Sequence, residues 1–492
     1  MGKGPSEIIP VPKQMDIRPG RCAWPRRVAV RCESAQAVSL VPAFESELLG
    51  GAHDSASEAT ATVHLVEGRC RPEGYTLDFA EDALTVSAAD TAGFRHAFQT
   101  ARQLVSRPTA ALGTVRDWPE LRIRGFHLNF ESYRGLDCEG ALRIIRCAAR
   151  FKLNTILVEY GPRFPFVAHS EIRDPTSLTG EEIDRLIAEA NAQGIRLIPL
   201  QQSIAHLEYA LRHETSAHLR ERPDKANLMC PCHPGSLALF KALATEVIAR
   251  HRGADWFHLG GDEARKVGQC PRCQAGGDGP GVLYGRHVGT AARWLLERGL
   301  RPIVWDDTVC AYPAAFEFLP KETIIAYWDY IAVSDPTPVL IPRMSHVDGG
   351  PRVAHDWRWN VKPKRGRVSN VQAQVMKHYS QAARLKSALG DRFLGEFGSY
   401  LGNGFPMWIK ALPYLEYYQD RGHEVITSPT GMGNGDTVDG VPNFDRFGQN
   451  ILTHARRCKE NAGALGMITT MWYNMPPEVL YQPLIRTAQC AW

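Results

Sequence analysis

Residues 256–263 read WFHLGGDE. A short apolar run ends in two glycines and then two adjacent acids. Glycine lets backbone approach a ligand closely. Adjacent carboxyls repel, so a partly dry pocket can raise one pKa and leave the other ionised. An acid catalyst beside an ionised helper needs that split. A helix N-terminus also favours Asp and Glu, and a bare Asp-Glu pair would fit that plainer reading. The surroundings decide between them. Outward from this run, short apolar runs recur at 124–130 (RGFHLNF), 154–160 (NTILVEY), 195–201 (IRLIPLQ), 302–306 (PIVWD), 323–328 (TIIAYW), 424–428 (EVITS) and 465–471 (LGMITTM). With 255–261 they make eight. Helical stretches lie between them, among others at 138–151, 180–193, 235–252 and 284–299. Eight β-then-α units predict an α/β chain folded as a closed (β/α)8 TIM barrel, with WFHLGGDE on its fourth strand.

Upstream the pattern differs. Residues 60–66 (TATVHLV), 74–79 (GYTLDF) and 84–88 (LTVSA) alternate apolar and polar, as strands of an antiparallel sheet with one wet face do. Residues 90–105 then carry helical spacing, with Asp90 as the cap. This predicts a small α+β domain over 1–115, with 110–121 reading as linker. The barrel takes 116–492, with an insertion around 335–405.

Composition narrows the function. The 492 residues carry 57 basic and 53 acidic side chains, a net charge of +4. That balance argues against a general nucleic-acid binder, which needs a concentrated basic face. No run approaches the roughly 18 to 20 apolar residues of a membrane span. The start, MGKGPSEIIPVPK, lacks the apolar stretch of a secretory signal, so the expected location is cytoplasmic.

Barrel active sites sit at the C-terminal ends of strands. In strand order those ends offer Arg134; Glu159 and Tyr160; His206 and Glu208; His258, Asp262 and Glu263; Trp305, Asp306 and Asp307; Trp328, Asp329 and Tyr330; Asn434 and Asp436; and Trp472. Carboxylates bind hydroxyls or move protons, and tryptophan faces stack on sugar rings. No glycine-rich phosphate loop ending in Lys and Ser/Thr is present, and no serine sits in a nucleophile-elbow setting.

HLGGDE resembles the signature of family 20 glycoside hydrolases, the β-N-acetylhexosaminidases. RGFHLNF, NTILVEYGPRFPF, IPLQQSIAHLEYALRHE, CHPGSLALF, PIVWDD and AYWDY extend the likeness, most closely to the hexosaminidase D branch. Residues 74–105 resemble the small domain preceding the barrel in that family. The resemblance implies a retaining exo-β-N-acetylhexosaminidase acting on terminal β-linked GlcNAc or GalNAc of oligosaccharides or glycoconjugates, with no cofactor. Glu263 would be the general acid/base. Asp262 would hold the substrate's 2-acetamido group, itself the nucleophile. That is the substrate-assisted exception among retaining glycosidases. Trp305, Trp328 and Trp472 would wall the acetamido pocket, and His206 and Glu208 would border it.

The chain departs from the family pattern in places. LNFESYR has Asn129 where many members have an acid, and displaces Arg134. Glu159-Tyr160 replaces tandem acids. SPTGMGNGDT lacks the acetamide-binding tyrosine, leaving Asn434, Asp436 or Tyr330 to substitute, with Asp306 a further candidate ligand. Two alternatives therefore stay open: a related glycosidase with shifted sugar preference, and a non-catalytic sugar-binding barrel.

Of twelve cysteines, Cys230 and Cys232 lie in MCPCH, and Cys270 and Cys273 in CPRC. They read either as free thiols, the favoured reading, or as a structural zinc site in which His233 could join. The first pair is one residue short of the usual knuckle.

Overall fold

Each of the eight apolar runs forms a strand of one parallel sheet. The strands are β1 (Ile123–Asn129), β2 (Thr155–Glu159), β3 (Arg196–Leu200), β4 (Trp256–His258), β5 (Arg301–Trp305), β6 (Ile324–Trp328), β7 (Val425–Ser428) and β8 (Ala464–Met471). They pair in sequence order, and β8 closes onto β1 from Gly466↔Ile123 to Thr469↔Phe126. The structure is a computed structural model. It describes residues 8–20, 24, 28–46, 48, 61–106, 111–131, 135–330, 332–338, 345–347, 350–352, 391–405, 408–432, 443–472 and 477–492. Most of the insertion expected around 335–405 lies outside them. Among the described residues, no helix is long and apolar enough to cross a membrane.

Parallel neighbours need crossovers, and helices supply them. The helix Gly180–Gln193, between β2 and β3, opens on a capping box of Thr179 and Glu182 and stops at Gly194 in the left-handed region. The barrel is filled, not hollow: Leu157, Ile198, Ile303, Ile324, Ile426 and Ile468 belong to one buried cluster with Trp305 and Trp328. Register sets the height of the site. Asn129 faces Glu159, Glu159 faces Leu200, and Leu200 faces His258, so the first four strands end on one level.

A second compact unit comprises Met1–Arg122 with Cys147–Leu153 and Ala491–Trp492, so it is not one continuous segment. Its helix, Thr91–Val105, is capped by Asp90, which accepts from Gly93 N at 2.7 Å. Two expectations are corrected here. The stretch taken as linker holds a strand, Ala111–Asp117, paired with Gln14–Pro19 and Tyr75–Phe79. The sheet is also mixed, because Ala61–Glu67 runs parallel to both Val28–Cys32 and Ala83–Ala88.

Candidate active site

β4 ends at His258, and the chain turns through Gly260 and Gly261 to the acids. Their φ angles are +63° and +88°. A Cβ at Gly260 would lie 1.8 Å from Gln202 Oε1, and one at Gly261 2.7 Å from the Tyr284 hydroxyl. Both positions require glycine for conformation and for space. Glu263 and His206 adopt φ of +53° and +52° without that excuse. Such strain persists only where the surroundings hold it, commonly at functional sites. Here Tyr284 donates to the Gly261 carbonyl at 2.8 Å, and Asp307 Oδ2 accepts from Glu263 N at 3.0 Å.

His206 Nε2 lies 3.3 Å from Asp262 Oδ2 and 3.7 Å from Glu263 Oε2. The Asp262 charge, opposed by burial, raises His206 to about 11. Burial by itself would raise Asp262; the His206 charge and hydrogen bond outweigh it and lower the carboxyl instead. The two acids differ in setting: the Asp262 side chain is 13% exposed and that of Glu263 44%. Glu263 faces outward, paired with Arg265 at 3.1 Å. With Glu208 and Arg265 it lines a cleft of about 510 Å³, walled also by the hairpin Arg220–Arg222 and Lys225–Met229.

Gln202 ties Asp262 inward. Its Nε2 donates to Glu159 Oε1 at 3.2 Å and to Asp262 Oδ1 at 3.4 Å, and its Oε1 accepts from Gly261 N at 3.2 Å. His127 Nε2 approaches Glu159 Oε2 at 3.4 Å. Burial and the Glu159 charge push Glu131 up to about 8. The sequence placed a carboxyl of raised pKa within the adjacent acid pair; in the structure His206 lowers Asp262, and the raised carboxyl is Glu131. Glu131, Gln202 and His127 went unread in the sequence. Their only signal was a polar residue in or just after an apolar strand.

The opposite arc is aromatic. Trp305 packs on His258 at 4.3 Å and edge-on to Trp472 at 6.2 Å between ring centroids. Trp328 stacks on Tyr330 at 4.9 Å. Trp472 Nε1 donates to the Tyr330 hydroxyl at 2.7 Å, and its ring meets His127 at 5.1 Å. An unbroken chain of contacts thus runs from Asp262 through Gln202, Glu159, His127 and Trp472 to Tyr330 and Trp328.

Asp306, expected to bind substrate, is instead buried behind this wall. Its Oδ1 accepts from Trp328 N at 3.0 Å and its Oδ2 from the Tyr418 hydroxyl at 2.6 Å, so it fastens β6 to the helix Tyr414–Asp420. Arg134, Asn434 and Asp436 lie outside the described residues.

Two family models match the chain. "Glycosyl hydrolase family 20, domain 2" matches residues 5–118, and "Glycosyl hydrolase family 20, catalytic domain" matches 124–338. Together they take in about two thirds of the sequence. The chain belongs to glycosyl hydrolase family 20. The family 20 catalytic match runs from β1 past β6 and includes the acid pair, His206, Trp305, Trp328 and Tyr330. Hexosaminidase D from Bos taurus is 31% identical over 192 residues, 37% of this chain and 56% of that protein. The match thus spans about half the length of that curated relative. Among solved structures, β-N-acetylhexosaminidase from Bacteroides fragilis NCTC 9343 is 18% identical, with a TM-score of 0.67 over 99% of this chain and 90% of its own. A family 20 exo-β-N-acetylglucosaminidase from Vibrio harveyi in complex with N-acetylglucosamine is 17% identical, with a TM-score of 0.62 over 99% and 73%. At these identities the structural likeness shows the fold.

Proposed function

We propose that this chain is a retaining exo-β-N-acetylhexosaminidase that releases terminal β-linked GlcNAc or GalNAc from oligosaccharides or glycoconjugates by substrate-assisted catalysis. The observation that carries this reading is the division of labour at the adjacent acids. Asp262 is recessed and held ionised by His206, whereas Glu263 is turned out toward a cleft. In the proposed reaction the substrate's acetamide oxygen attacks C1 and the C1–O bond to the leaving group breaks. Glu263 gives its proton to that departing oxygen. Asp262 accepts from the acetamide N–H and balances the oxazolinium charge, electrostatic help of the kind worth several kcal/mol. Water then adds to C1 and gives a proton to Glu263, while the oxazolinium C1–O bond breaks and restores the acetamide.

Trp305, Trp328 and Trp472 would wall the sugar and its acetamide. Tyr330 is assigned as the missing acetamide-oxygen donor: its hydroxyl lies in the aromatic arc, fixed by the hydrogen bond from Trp472 Nε1 at 2.7 Å. Glu208, in the cleft lining, is assigned to sugar hydroxyls, while Glu159, buried against Gln202 and His127, is assigned to holding Gln202 in place. A shifted sugar preference is the second reading, favoured by Asn129, which is buried where many members have an acid. Release from a panel of chromogenic glycosides tests both. Turnover of β-GlcNAc or β-GalNAc, and none of the matching β-glucoside, supports the first. Equal turnover of the glucoside, which lacks the acetamide, would refute it.

A cytoplasmic location is part of this proposal. It is supported by the eleven described cysteines, none of them in a disulfide, as a reducing compartment keeps them. Cell fractionation that recovers the chain outside the cytoplasm would overturn it.

A further inference from the structure

Among the described residues, one group of Cys, His, Asp and Glu side chains gathers with the closeness of metal ligands. It lies outside the acid cluster. One ligand atom each from Glu221, Cys230, Cys270 and Cys273 falls within 4.8 Å of all the others. Cys230 Sγ is 3.4 Å from Cys270 Sγ and 3.5 Å from Cys273 Sγ. These are not disulfides, whose sulfurs stand about 2.05 Å apart. Thiolates about 2.3 Å from a tetrahedral zinc are roughly 3.8 Å from one another. The three thiols need therefore move only a few tenths of an ångström to take such a geometry. Cys232 packs against the same cluster and hydrogen-bonds to Cys273. It completes a set of four from two short loops.

The local chain builds both loops for this. The hairpin strand Lys225–Met229 delivers Cys230, whose carbonyl accepts from Ser236 Oγ at 2.7 Å at the start of the helix Pro234–Arg250. Cys270 caps the short helix Pro271–Ala275, and its Sγ accepts from Cys273 N at 3.4 Å. Glu221 Oε1 accepts from Gln269 N at 2.5 Å and Cys270 N at 2.9 Å. Its Oε2 accepts from Cys273 Sγ at 3.5 Å, so the carboxylate braces both the turn and the thiol.

We propose that Cys230, Cys232, Cys270 and Cys273 bind one zinc ion in a closed structural site, with Glu221 fixing the Gln269–Cys270 turn against it. Four thiolates fill a tetrahedral zinc and leave no open position for chemistry. The ion would join the hairpin that walls the cleft to the segment that begins at Glu263, only seven residues before Cys270. It acts on Glu263 by limiting how far that segment moves.

The full-length, untagged chain, purified without chelator, is analysed by elemental mass spectrometry. Zinc near one atom per chain is expected, released in step with four thiols on titration with a mercurial. Cys230→Ser and Cys273→Ser should lower the zinc content at least tenfold, with Cys147→Ser unchanged. Glu221→Gln should keep its zinc; loss equal to that of the cysteine variants would overturn the four-thiolate assignment. Because a cysteine variant can fail to fold, the wild-type measurement decides. Zinc well below one per chain, with these thiols open to a thiol reagent or joined as disulfides in the intact mass, overturns the site.

Discussion

The acid arc and the aromatic arc of the barrel mouth are held by different forces. Along β2 to β4, Glu159, Gln202, His206 and Asp262 are fixed by hydrogen bonds and charge. Along β5, β6 and β8, Trp305 and Trp328 belong to the barrel's apolar filling and Trp472 packs on it. Removing a member of the first arc leaves a buried partner without compensation, which is costly. Removing one polar atom from the second costs a single hydrogen bond on an otherwise intact surface. Chemistry should thus be far more sensitive to the first arc than to the second.

The largest expected effect sharpens that contrast. Glu263→Gln should lose about 10² to 10⁴ in kcat on substrates with poor leaving groups, the usual worth of a general acid. A substrate with a very acidic leaving group should lose much less. Steady-state kinetics on the two classes check this, and equal losses would break the assignment.

Tyr330→Phe should cost less. One hydrogen bond of about 1 kcal/mol corresponds to roughly five- to tenfold. The loss should fall on kcat rather than KM, since the hydrogen bond orients the acetamide oxygen for its attack on C1. A loss matching that of Glu263→Gln would erase the difference between the two arcs.

The smallest effect concerns stability. In the folded chain Glu131 keeps its proton to about pH 8, against an ordinary value of 4.5. The folded state therefore binds more protons than the unfolded one between those values, and stability falls as pH rises through them. Glu131→Gln removes that penalty. Its melting temperature should match the wild type near pH 4.5 and exceed it by several degrees at pH 8. An offset independent of pH would contradict the raised pKa.

The barrel was legible because each strand is buried on both faces and so reads as a short apolar run. The acid pair was legible because glycines beside it mark a backbone that nothing else can adopt. Elsewhere the signal fails for physical reasons. Gln14–Pro19 is almost wholly exposed, so no apolar pattern marks it. Its partner Ala111–Asp117 carries Gly113 at φ +116° and looks like linker. Asp306 sits beside a strand end like its neighbours, and only the Trp328 and Tyr418 contacts reveal that it faces inward. Glu131 and Gln202 matter through partners more than 25 residues away, which no local spacing encodes.

The central claim is that the substrate's own acetamide is the nucleophile, held by Asp262. A thiazoline analogue of the oxazolinium intermediate tests it most directly, since analogues of high-energy species bind 10² to 10⁸-fold more tightly than substrates. Inhibition constants for the thiazoline and for free GlcNAc are measured on the wild type and on Asp262→Asn. The account predicts that the thiazoline binds the wild type at least about a hundredfold more tightly than the sugar, and that Asp262→Asn erases most of that gap. A thiazoline that binds the wild type no better than GlcNAc would contradict it.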